Sequence, residues 1–201
     1  MTAYPTREYR GVERLVYAEV TEDSEDAYTT GTVKPLAGIA TVSKATASST
    51  EAHYYDNAPK IVIASEGPDT VTLTVSAIPL EVLADITGQT WDSTHGAIIE
   101  GQRSQKHFAI GYVTKNTDGT KVYVWRLKGM FNIPDMTSST EDDGTDANGQ
   151  EIEFMGVETT HLFTATGKGA RSVTVDDGLG LADVSTWFSA VVTPDTIQTR
   201  A

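Results

Sequence analysis

Glu151 and Glu153 flank a single isoleucine, and if that segment is a strand, both carboxylates lie on one face about 7 Å apart. Glycoside hydrolysis uses two carboxylates at such a separation. Gly156, however, stands where a third acid would complete the pattern, and a solvated strand face accounts for the pair more simply. Ser139, Glu141, Asp143 and Gly144 fall on positions of a calcium-loop template, with Glu151 one residue past its closing position, but a serine opens it and no helix precedes it, so a plain acidic loop is the better reading. His53, His95, His107 and His161 lack the i, i+3 or i, i+4 spacing of metal ligands on one element. Gly167-Lys168-Gly169 and Gly178-Leu179-Gly180 lack the third glycine and the strand-to-helix setting of a nucleotide loop and read as turns. Ser104 has no glycine elbow. The basic residues of Lys106 to Lys128 alternate with aromatics as a strand surface would. The expectation is therefore no catalytic site, no metal site and no cofactor.

The chain of 201 residues carries a formal net charge of -13, which repels nucleic-acid phosphates and disfavours a DNA-reading role. A wall past which a polyanion must slide without sticking is nonetheless better negative than positive, since each cation on a phosphate adds a retaining contact. With no cysteine, the fold holds by packing. No apolar run approaches the ~20 residues that span a bilayer, and the start, MTAYPTREYRGVERL, lacks the apolar core of a signal peptide. The expectation is a soluble, cytoplasmically made chain with no membrane partner, folding as a single domain over 1–201.

The elements follow from periodicity. A polar arm (1–10) precedes a strand over Gly11 to Val20; Thr21 to Gly31 reads as an acidic loop, and Leu36 to Ser43 as a strand. Lys44 to Pro59, rich in Ser, Thr and Ala and closed by an Asp56-Asn57 turn signal, reads as an exposed hairpin tip. Lys60 to Ala64 and Thr70 to Ala77 read as a hairpin bent at Glu66-Gly67-Pro68-Asp69. Leu80, Val82, Leu83 and Ile86 form an apolar stripe between Pro79 and Gly88, predicting a short helix lying on a sheet through Leu80, Leu83 and Ile86. Lys106 to Lys115 and Thr120 to Phe131 form the longest predicted hairpin, half-buried, with Phe108, Ile110, Tyr112, Val122, Val124 and Arg126 on alternate positions. An acidic loop (132–150) holds Asp135, Glu141, Asp142, Asp143 and Asp146. Strands over Ile152 to Phe163 and Ala170 to Val175 follow, then a small helix over Leu181 to Phe188 capped by Asp183 or Ser185.

The order and wording of these pieces resemble the major tail proteins, or tail tube proteins, of long, non-contractile phage tails, in particular the phi13-type family. The residues that carry the resemblance are VTLTVSAIPLEVLADITG at Val71 to Gly88, IGYVTKNTDGTKVYVWRLKGMFNIP at Ile110 to Pro134, GQEIEFMGVE at Gly149 to Glu158 and HYYDNAP at His53 to Pro59. It implies a mainly β, sandwich or barrel-like tail tube fold with one flanking α-helix and long extended loops. It further implies a homo-oligomer of six copies per ring, with rings stacked into a tube around a tape-measure protein. Tail tip and terminator proteins bound the tube, and DNA passes through it without specific contacts. On that reading residues 44–59 form a stacking loop, Tyr54, Tyr55, Asp56 and Asn57 reach a neighbouring ring, and 165–201 is a C-terminal extension. Asp135, Glu141, Asp142, Asp143 and Asp146 would line the bore or the ring junction. A different class of function, a virion-borne or extracellular carbohydrate-binding β-sandwich such as an adhesin, would use Trp91, Tyr54 and Tyr55 as stacking platforms.

Overall fold

A computed structural model describes residues 6–135 and 149–200. Strands β1 (Tyr9–Asp23), β2 (Tyr28–Thr30), β3 (Lys34–Pro35), β4 (Ile39–Tyr55) and β5 (Ala58–Val75) precede helix α1 (Leu80–Thr87). β6 (Thr90–Asp92), β7 (Ala97–Ile99), β8 (His107–Asn116), β9 (Lys121–Phe131), β10 (Gln150–Gly156) and β11 (Ser172–Asp176) follow. The main sheet runs β2-β1-β8-β9-β10-β5-β4, with β3 on β1 and β11 on β9, while β6 and β7 pair separately. Every pairing is antiparallel. The sheet curls until β1 touches β4. The architecture is mainly β with one flanking α-helix.

β8 and β9 form the centre, and their period of two feeds two cores. Phe108, Ile110, Tyr112, Val122 and Val124 point into a cluster with Leu15, Tyr17, Leu73, Ile86 and Phe154. The intervening Ala109, Trp125 and Leu127 point to the opposite face and meet Phe163, Val173, Trp187 and Val191. The hairpin is thus buried on both faces, where alternation predicts one wet face. The cover is the run after β10, whose only named strand is the five-residue β11. Its Trp187 carbonyl accepts the Trp125 indole N–H at 3.0 Å. A bulge between Phe108↔Gly129 and Ile110↔Arg126 flips the parity of β9, so Phe131 joins the same cluster as Val122 and Val124. Gly129 follows from that crossing: a Cβ there would sit 2.4 Å from the Phe154 ring and 2.5 Å from the Met155 carbonyl oxygen.

α1 begins after Pro79, an extended N-cap residue, and ends at Gly88 with φ 70°, a left-handed stop that only glycine adopts without cost. A Cβ at Gly88 would lie 1.9 Å from the Ser104 carbonyl oxygen. Leu83 and Ile86 are buried, whereas Leu80, expected on the sheet-facing stripe, is 45% exposed. The stripe is narrower than predicted because eight residues cross the sheet in barely two turns.

Four further expectations change. Thr21 to Gly31 is no loop: β1 runs on to Asp23 and turns back into β2. The polar arm is tied down over its described part, where Arg7 pairs with Asp176 at 2.7 Å and donates to Thr120 at 2.9 Å. Strand β10 stops at Gly156. Leu181 to Phe188 forms no helix; Asp183 caps the Ser185 N–H, but the backbone then makes separate i to i+3 turns that seat Trp187 and leave Leu181 70% exposed.

Candidate assembly ribbon and its root

The longest hairpin is β4–β5, not β8–β9. β4 has 17 residues and β5 has 18, and their ladder runs from Ile39↔Val75 out to Tyr55↔Ala58. Residues 44–59, expected as a loop at a hairpin tip, are strand up to Tyr55 and again from Ala58. The turn itself falls on Asp56 and Asn57, with φ 51° and 63°, the pair of positive values a two-residue type I′ hairpin needs.

Glu66-Gly67-Pro68-Asp69, expected to reverse the chain, lies inside one continuous strand. The ladder shifts between Thr46↔Asp69 and Ser48↔Glu66, so Gly67 and Pro68 together oppose Ala47. That extra residue is a β-bulge, one of the few settings in which a strand tolerates Pro, which has no N–H to give. Gly67 fits because its missing Cβ would meet the Ala47 Cβ at 3.1 Å. Its carbonyl accepts from Arg171 Nη1 at 2.9 Å.

The bulge divides two environments. Inward of it Val71, Leu73 and Val75 are buried in the core and β5 pairs with β10 over Asp69 to Val75. Outward of it, from residue 47 to 66, every residue except His53 is exposed. Tyr54 is 68% exposed, Tyr55 52% and Val62 65%. Among the described residues no strand pairs with the outer edge of β5 from Ala58 to Pro68, nor with the far edge of β4. The two strands hold together by their own ladder and by hydroxyl contacts such as Ser49 to Ser65 at 2.7 Å; Lys60 closes on Asp56 at the tip. A two-stranded ribbon with two wet faces is at best marginally stable in water. With eight residues of β4 beyond Ala47 before the turn, it reaches about 27 Å from its root.

The root is a charge cluster. Asp69, 2% exposed, accepts from Arg126 Nη1 at 2.8 Å and from Thr46 Oγ1 at 2.8 Å. Lys44 Nζ and Arg171 Nη1 stand 3.6 and 3.7 Å from its carboxylate. One buried carboxylate therefore joins β4, β9 and the C-terminal cover at the point where the ribbon leaves the body. Sequence reading had placed Arg126 only as an alternate strand position and Asp69 only in a turn.

The other residues of chemical interest scatter. Glu151 is exposed, and Glu153 accepts from Asn132 Nδ2 at 2.9 Å. His95 pairs with Asp92 at 2.7 Å, and the His161 ring meets Phe163 edge-on. His107 is held below its ordinary range by burial and by Lys128. Among the described residues no three metal-ligating side chains cluster. Glu141, Asp142, Asp143 and Asp146 lie outside the described residues, as do Ser139 and Gly144; Asp135 is exposed and bridges to Glu151. Trp91 is half-buried and lines a cavity of about 490 Å³ beside α1, with Tyr17, Lys34, Asp85 and Lys106. There burial pushes the Tyr17 phenol well above its ordinary range, with Asp85 adding to the effect. Burial would raise Asp85 too, but hydrogen bonds from Lys34, Lys106 and Tyr17 outweigh it and hold the carboxyl low. No helix is long and apolar enough to cross a membrane among the described residues.

Comparison with known proteins gives one family. Residues 30–172 match the family model described as phage tail tube protein. No curated protein sequence matches the chain. Among solved structures, the chain is similar to the cryo-EM structure of the anti-feeding prophage cap, the AFP tube terminating cap. The identity is 13% and the TM-score 0.41, covering 88% of this chain and 94% of that one.

Proposed function

Because this chain belongs to the phage tail tube protein family, whose members are structural and non-catalytic, we propose that it is the repeating subunit of a long non-contractile tail of the phi13 type. Six copies close into a ring, and rings stack around a tape-measure protein between the tail tip and a terminator. The finished tube, within the virion, conducts DNA. The whole chain acts as one tail tube domain.

The observation that carries this reading is the outward half of β4–β5: some twenty residues of paired strand with wet faces and free edges. A lone chain gains little from ordering them, since folding a residue costs on the order of 1–2 kcal/mol in backbone entropy. Free edges and the exposed side chains of Tyr54, Tyr55, Ile61 and Val62 offer a second copy the hydrogen bonds and apolar area that offset that cost. Tyr54, Tyr55, Asp56 and Asn57 are then the inter-ring contacts. The negative balance of the chain suits the conduit wall, with Asp135 and the acidic stretch to Asp146 at the bore or ring junction.

The test is negative-stain microscopy and size exclusion of the full chain at rising concentration, beside a variant lacking residues 50–64, which removes the ribbon in register. Rings or tubes from the first and a folded monomer from the second are expected. Tubes from the shortened chain would remove the ribbon from assembly, and retention of a monomeric full chain on a glycan column would favour the carbohydrate-binding alternative.

A further inference from the structure

Arg14 is the one non-glycine residue outside the ribbon turn with a left-handed backbone among those described, at φ 57°. It sits in a bulge of β1, where the ladder shifts between Glu13↔Val113 and Val16↔Gly111. Such a conformation is unfavourable for a residue with a Cβ and persists where surrounding structure imposes it, often at a working surface. Its consequence here is geometric: the exposed guanidinium is laid over the Phe188 ring, 4.8 Å from the centroid.

Arg14 and Phe188 line a groove of about 460 Å³ together with Val16, Val33, Pro35 and Lys34. Among the described residues no acidic side chain lines this groove, a local exception on a chain of net charge -13. The nearest carboxylate in sequence, Glu13, is held by Lys115 at 2.7 Å and by Lys121 at 2.6 Å. Lys34 pairs with Asp85 at 3.0 Å yet keeps 56% of its side chain exposed. The walls are largely apolar, one cation is stacked on an aromatic ring, and a second, Lys34, also lines the groove. A planar aromatic joined to a carboxylate fits such a groove, because guanidinium planes stack on rings and fork onto carboxylates.

The ribbon tip has that chemistry. Tyr54 and Tyr55 are exposed, and the Asp56 side chain, though paired with Lys60, remains 85% exposed. We propose that the Tyr54–Asp56 tip of one copy seats in the Arg14–Phe188 groove of a second copy, Asp56 meeting Arg14 and a tyrosine ring lying on the Val33–Pro35 wall. The contact is head-to-tail, tip to groove, so it can propagate from copy to copy. This rests on the proposed role of the ribbon and names the surface that receives it.

The test uses charge reversal on the full chain. Asp56→Arg and Arg14→Glu, each alone, should lower the assembled fraction in sedimentation at least tenfold, and the double variant should recover most of it. Arg14→Gly separates packing from docking: relief of the left-handed residue should keep or raise the monomer Tm while assembly falls. The absence of native cysteine permits a direct measure. A Tyr55→Cys chain mixed with a Val33→Cys chain should give a disulfide-linked dimer on a non-reducing gel, and a Thr186→Cys chain should not. No cross-link at Val33, equal cross-linking at Thr186, or a double reversal no better than the singles overturns the groove. If removal of residues 50–64 still abolishes assembly in that case, the ribbon's role survives and only its receptor is wrong; if it does not, both fall.

Discussion

Replacing Asp69 with alanine removes the acceptor at the root of the ribbon, and the structure fixes the size of the effect. Asp69 and Arg126 are 2% and 8% exposed and 2.8 Å apart, so this is a buried pair, for which removal of one partner costs about 3–5 kcal/mol because the other charge is stranded. The stranded charge is severe here: among the described residues Arg126 Nε already has no partner, and loss of Asp69 takes away the one carboxylate its guanidinium contacts among them. Lys44 and Arg171 add little to the figure, since both are partly exposed and lie beyond 3.5 Å. For a two-state transition with m near 3 kcal/mol/M in urea, the expected midpoint drop is about 1–2 M. The assay is urea unfolding followed by tryptophan fluorescence, for which Trp125 and Trp187 in the C-terminal core report. Asp69→Leu combined with Arg126→Met should regain most of the loss, because a buried ion pair exchanged whole for apolar groups is often neutral. A loss under about 1 kcal/mol for the single variant, or a double variant as weak as the single, would refute the reasoning that this carboxylate anchors β4, β9 and the cover together.

Gly129→Ala should destabilise by about 1–3 kcal/mol through overpacking, since the new Cβ overlaps both the Phe154 ring and a backbone carbonyl; thermal melting reads it. Leu83→Ala should cost about 2–5 kcal/mol while Leu80→Ala stays within about 0.5 kcal/mol, because the first side chain is buried and the second 45% exposed. Asp23 gives a pH signature. Burial raises its carboxyl, but Lys128 and the Thr160 and His161 N–H groups outweigh that and hold it below its ordinary value. A depressed folded-state value means stability that is in place above the unfolded carboxylate range and is lost as pH falls through the folded value. Asp23→Asn should therefore flatten the acid limb of a Tm-against-pH curve below about pH 4; an unchanged limb would contradict the clamp.

Much of the scaffold can be read from periodicity. The strands of β8 and β9, the Gly88 stop of α1 and the Asp56-Asn57 turn each rest on local physics, namely alternation, left-handed tolerance and a turn pair. Non-local facts were hidden. Gly67-Pro68 has the chemistry of a reversal, and only the register of β4 opposite makes it a bulge. The second buried face of β8–β9 depends on Trp187 and Val191, which sit in irregular backbone where no period exists to count. The ribbon was mistaken for a loop because Ser, Thr and Ala carry a weak apolar signal, and backbone pairing, not burial, organises it. Arg14 had no signal at all, since a positive φ in the middle of a strand is set by the neighbours.

The wrapping of Trp125 and Leu127 by Trp187 and Val191 sets a timetable for biosynthesis. A ribosome makes the central hairpin some sixty residues before its lid, so a nascent chain carries a greasy, uncovered plane while the intervening stretch is made. Only when those lid residues emerge can the second core close, which ties burial of the central hairpin to synthesis of its cover.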